Sequence, residues 1–225
     1  MSAISKEFLQ TGRRYGVDEI AADRAFHILA ITATVAASIV LILVAARSGS
    51  RGLWPIGLYC ASILLMFLCS AAHNLRPASA RRELWQRFDH SAIFVAIAGT
   101  YTPFTVDVLT GGWSLWLTAA IWSVALSGIA VKMLRQRLIA RIDVLLYLAF
   151  GWTGFLVAAK QVLAALDPAP VMLVGVGGVL YTVGAGFYVR CEMRFHQVVW
   201  HGFVLAAAGC HYAAIVRLAA AAGGI

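Results

Sequence analysis

Seven stretches of this chain are long and apolar enough to cross a lipid bilayer, and that property leaves very few folds open. They run over residues 27–46, 53–73, 89–109, 113–131, 142–166, 170–189 and 196–216. At about 1.5 Å of rise per residue, some 20 helical residues match a hydrocarbon core of about 30 Å. In that medium every backbone N–H and C=O must be satisfied within the protein, so only helices and closed barrels qualify. The apolarity here is continuous rather than alternating, which selects helices over barrel strands. The sequence therefore predicts an all-α membrane protein, a seven-transmembrane helix bundle. Residues 1–26 are expected to form a polar tail, 27–217 the membrane domain and 218–225 a short external tail.

Composition and charge narrow the function classes. With 61% hydrophobic and 12% charged residues in 225, there is no room for a separate soluble domain. The opening residues carry Glu7, Asp18, Glu19 and Asp23 and lack the apolar core of a cleavable signal, so they read as a retained tail. A formal charge of +8 would suggest a nucleic-acid partner if it lay on one soluble face. Instead the basic residues fall in short links between apolar runs, which excludes that reading. Cys60, Cys69, Cys191 and Cys210 show no CxxC spacing and are expected to pack as small hydrophobes.

The links set an orientation. Of the 18 Lys and Arg residues, 14 fall on one side: in the tail, and in the links after the second, fourth and sixth segments. The other side holds only Arg47, Arg51, Lys160 and Arg217. The positive-inside rule then makes the N-terminus cytoplasmic and the C-terminus external. The sixth segment carries Gly175, Gly177, Gly178, Gly184 and Gly186, read as small residues permitting close helix contact. Pro103 is expected to kink the third segment, with Thr100, Thr102 and Thr105 at hand for freed backbone groups. Lys160 is expected to snorkel to water.

Chemistry enters through polar groups that share a depth. His73 ends the second segment, Asp89 opens the third, and His196 and His201 open the seventh, all near the cytoplasmic face. Ionisable groups inside a membrane usually mark function. An imidazole-rich set without a carboxylate cage suits zinc better than calcium or magnesium. Three protein ligands with an open position would make a catalytic site, with Asp89 holding the water. His196 and His201 are five apart, which is about 140° and about 7.5 Å on a helix, so His73 and His201 rank above His196 as ligands. His211 is too far along the helix to share the ion and reads as a packed core histidine. His27 and His90 read as interfacial residues or partners of the ligands. The competing interpretation is a set of histidines that satisfy one another and the backbone.

Four blocks carry a resemblance: FDHSAIFVAIAGTYTPF (88–104), LYLAFGW (146–152), GGVLYTVGAGFY (177–188) and VVWHGFVLAAAGCHY (198–212). In order and spacing they resemble the hemolysin III family, within the progestin and adipoQ receptor superfamily, from about residue 19 onward. The resemblance implies seven helices, a cytoplasmic N-terminus and a bacterial inner (plasma) membrane location. It also implies a zinc ion held by the histidine ending helix 2 and two opening helix 7. Those roles fall on His73, His201 and His196, with Asp89 contacting the zinc-bound water. Two departures stand out. Cys69 occupies the position of a family serine, with Ser70 next to it, and the helix 7 histidines are five apart rather than four. Glu19 and Asp23 resemble the acidic and amide positions that precede His27.

From these readings the leading expectation is a zinc-dependent membrane hydrolase acting on a lipid amide or ester, ceramidase-like, with membrane lipid as its substrate. The alternatives are a non-enzymatic sensor of membrane state with structural zinc, and a membrane-permeabilising protein. The last is disfavoured because a pore needs polar groups through both leaflets. A proton carrier is weaker still, since the outer half offers only His211 and Lys160.

Overall fold

The computed structural model describes residues 16–48, 52–75, 81–109, 111–139, 142–165, 168–190 and 192–221, with backbone alone at 82, 135–139 and 158–165. Among them there are seven helices and no strand. We number these α1 (Val17–Arg47), α2 (Leu53–Asn74), α3 (Arg82–Pro103), α4 (Gly112–Ile139), α5 (Asp143–Ala165), α6 (Pro168–Tyr188) and α7 (His196–Ala221). Six are long and apolar enough to span a membrane, and the described part of α5, Asp143–Val157, is a shorter apolar helix. The chain is thus a multi-pass helical membrane protein. The side chain of Lys160, Cys191, residues 1–15 of the expected N-terminal tail and residues 222–225 lie outside what is described, so the expected snorkelling of Lys160 and the state of Cys191 do too. Cys60, Cys69 and Cys210 are free thiols.

α3 is the central helix, with 67% of its apolar window buried, whereas α4 is peripheral at 11%. α3 packs against α2, α4 and α5, while α1 and α6 flank α7. Large side chains such as Trp116 and Met172 project outward, as lipid-facing residues should. The α6–α7 pair is the most intimate, and glycine is the reason. A Cβ at Gly184 would stand 2.6 Å from the Phe203 Cβ, and one at Gly177 would overlap the His211 ring. His211 lies in that notch, hydrogen-bonded to the Val174 carbonyl at 3.3 Å and packed on Tyr181, the core role expected of it.

Two elements differ from the apolar pattern. α1 starts at Val17, ten residues before its apolar run, so Asp18, Glu19 and Asp23 are helical. Acidic residues suit the first turn of a helix, and Glu19 Oε2 accepts the Gly16 N–H at 2.9 Å. Beyond Pro103, α3 continues as a π-helical turn over Phe104–Val108. Proline removes one backbone donor, and a change of winding absorbs the mismatch. The threonines bond nearby carbonyls: Thr100 that of Ala96, Thr102 that of Ala98 and Thr105 that of Thr102.

Candidate metal centre

Asp23 and His27 are one turn apart on α1, so their side chains stack on one face. That face is turned to α7, and both residues are buried, at 5% and 1% exposure. His201 comes from the second turn of α7 and is also buried. One ligand-type atom from each of the three lies within 4.8 Å of the others. The His27 and His201 rings meet edge to face with centroids 4.7 Å apart, and the Phe26 ring stacks on His201 while meeting His27 edge-on.

The hydrogen bonds fix the tautomers. His27 Nδ1 donates to the Asp23 carbonyl at 2.8 Å. His201 Nδ1 donates to Asp23 Oδ1, also at 2.8 Å. Each neutral ring is therefore left with a bare Nε2 lone pair. Both lone pairs face the same hydroxyl, Ser70 Oγ on α2, at 3.3 Å from His27 and 3.5 Å from His201. Asp89, near the start of α3, lies close to the same Ser70 hydroxyl and to His201. Asn74 donates to Ser70 Oγ at 3.2 Å. Ser70 has one hydrogen to offer, and two imidazole acceptors converge on it while Asn74 donates to its oxygen. Such a cluster is rich in lone pairs and poor in protons, which is what a cation site requires.

A metal fits this donor set. Imidazole nitrogens are common zinc ligands, and two of them are brought together here beside a buried carboxylate. Imidazoles whose second nitrogen is held by a carboxylate or carbonyl are oriented as metal-binding histidines generally are.

Of the residues singled out by depth, His201 is in this trio and Asp89 borders it through Ser70. His73 and His196 are not members of the trio. His73 lies in the last turn of α2, three residues after Ser70, and His196 is the first residue of α7 and is buried. Depth reasoning passed over Asp23 and assigned His27 a supporting part. The signal available was the spacing of four between them, the interval that puts two ligands on one helical face. Ser70, rather than Cys69, supplies the hydroxyl at the end of α2.

A second polar group lies at the same end, between α3, α4 and α5. Lys132 Nζ forms an ion pair with Asp143 Oδ2, and the same oxygen accepts from His90 Nδ1 at 3.1 Å. Lys132 is fully buried, so this lysine, expected in a basic link, is part of the protein interior. His90 also packs its ring edge toward Tyr147.

The family model described as "Haemolysin-III related" matches residues 23–212. A protein of Bacillus subtilis (strain 168) named "Hemolysin-3 homolog" is 34% identical over 194 residues, 85% of this chain and 90% of the relative. "Hemolysin-3" of Bacillus cereus is 34% identical over 193 residues, 84% of this chain and 86% of that protein.

Proposed function

The chain belongs to the hemolysin III family, and within it we propose a zinc-dependent hydrolase of lipid amides or esters, working at the basic end of the bundle in a bacterial inner membrane. The observation that carries this reading is the convergence of His27 Nε2 and His201 Nε2 on one Ser70 hydroxyl, with the Asp89 carboxylate close by. A zinc ion held there would supply a water acidic enough to lose its proton near neutrality and a positive charge for the oxyanion. His27 and His201, each through Nε2, are the ligands we favour, with Asp23 holding the opposite edges of the rings, and His73 and His196, at the ends of α2 and α7, form the competing set with His201. Asp89 takes the proton from the attacking water and returns it to the leaving amine or alcohol. Ser70 orients both histidines, and Asn74 orients Ser70. The lipid-facing walls let an acyl substrate arrive from the bilayer.

The test pairs metal analysis with turnover. Purified protein should hold about one zinc per chain and release fatty acid from a ceramide or related lipid. Single His27→Ala and His201→Ala changes should remove both properties. Asp89→Asn should keep the metal and lose turnover. If His73→Ala and His196→Ala strip the metal while His27→Ala does not, the competing ligand set is correct. Full metal with no turnover on a broad lipid panel would favour a structural zinc in a membrane sensor.

A further inference from the structure

Glu19 lies one turn before Asp23 on α1 and two turns before His27, so the three form a buried stripe facing α7. Its carboxylate reaches in two directions. Oε2 accepts the Gly16 N–H at the start of α1, at 2.9 Å. Oε1 accepts the Phe195 N–H at 2.8 Å, immediately before α7. Phe195 is the one described non-glycine residue with positive φ, at 57°. That left-handed conformation is costly for a bulky side chain and persists only where its surroundings enforce it. From Phe195 the chain enters α7 at His196, and His201 follows six residues after Phe195, facing Asp23. Asp18 adds an exposed ion pair to Arg194 on the same turn.

Two carboxylates four residues apart thus tie one helix face to α7. Glu19 grips the backbone where α7 begins, and Asp23 grips the His201 ring. We infer that Glu19 is a positioning residue for the metal centre: it holds Phe195 in its left-handed turn and so sets the rotation of α7 that presents His201 to Asp23 and His27. The inference rests on the metal-site reading for its consequence, although the positioning itself requires no metal. It also accounts for the unusual five-residue interval between His196 and His201. The turn before α7, rather than a spacing of four along it, determines which histidine faces α1.

The experiment uses the full-length protein in detergent, with zinc and cobalt(II) as probes. Metal affinity is measured by competition with a chelator, and the imidazole nitrogens of His201 are followed by NMR in metal-free protein. Glu19→Ala should weaken metal binding about tenfold or more, the usual cost of losing a group that orients a ligand. The His201 signals should shift from a single Nδ1–H form to a mixture, with the unfolding midpoint little changed. Glu19→Gln keeps an oxygen for the Phe195 N–H and should retain most of the affinity. Phe195→Gly makes the left-handed turn inexpensive, so adding it to Glu19→Ala should recover part of the loss. Should Glu19→Ala not fold, the Gln variant and Phe195→Gly alone decide: both should bind metal like the parent, and a tenfold loss in either would overturn the inference. Unchanged affinity and an unchanged His201 tautomer in Glu19→Ala would also overturn it. A parent protein that binds neither metal, while Glu19→Ala still disturbs the His201 tautomer, would remove the metal reading and leave the positioning role standing.

Discussion

Asp23 and Asp143 are both buried carboxylates at the same end of the bundle, and their neutralisation differs in kind. Asp143 shares one oxygen between the Lys132 ammonium and His90. Its charge is balanced by a permanent cation that the chain itself provides. Among the described residues the Asp23 carboxylate pairs with imidazoles, and the cluster around it has more lone pairs than protons. One group is a closed ion pair that holds α3, α4 and α5 together. The other is an open ligand set shared by α1, α2 and α7. Whether a fixed ammonium is present separates a structural cluster from one that invites a guest.

Removing Lys132 gives the largest expected effect on that contrast. Lys132→Met leaves Asp143 buried without its counter-charge and should destabilise the fold by about 3 kcal/mol or more. Adding Asp143→Asn should recover much of that loss, as read by denaturant unfolding in micelles. Metal rescue comes next. Zinc at about 100 times its dissociation constant should stabilise the parent by about 2.7 kcal/mol. The increment should vanish in His27→Ala and survive in Lys132→Met followed at its own midpoint. If zinc stabilises His27→Ala equally, the two clusters are not distinct in the way described. The smallest effect is the control: the Asp18–Arg194 pair is mostly exposed, so Asp18→Asn should change stability by less than about 0.5 kcal/mol and leave metal binding intact.

Much of the architecture was legible because hydrocarbon enforces it. A continuous apolar run of 20 residues has few options, and the segment ends predicted for α2, α5 and α6 fall within two residues of the helices. The start of α1 was not legible in that way. Its first ten residues carry four charges and break the apolar run, yet they are helical, with the stripe Glu19–Asp23–His27 packed toward α7 and exposed residues such as Val17 and Ile20 elsewhere on the helix. Average hydropathy cannot show a contact made by a helix 170 residues away in sequence. Depth did bring His201 and Asp89 to the same place. It could not rank His27 against His73, because rotation about each helix axis is set by packing and by the turn at Phe195. The same limit applies to Lys132, which counts as a basic link residue in sequence and is enclosed once α5 lies beside it.

That enclosure has a consequence for how the protein is made. The partner of Lys132 is synthesised only after it, eleven residues further along and across the next link. Until α5 is in place, the Lys132 ammonium lacks the carboxylate that balances it. The pair can close only once α4 and α5 lie side by side. A truncation between them would leave that ammonium without its counter-charge.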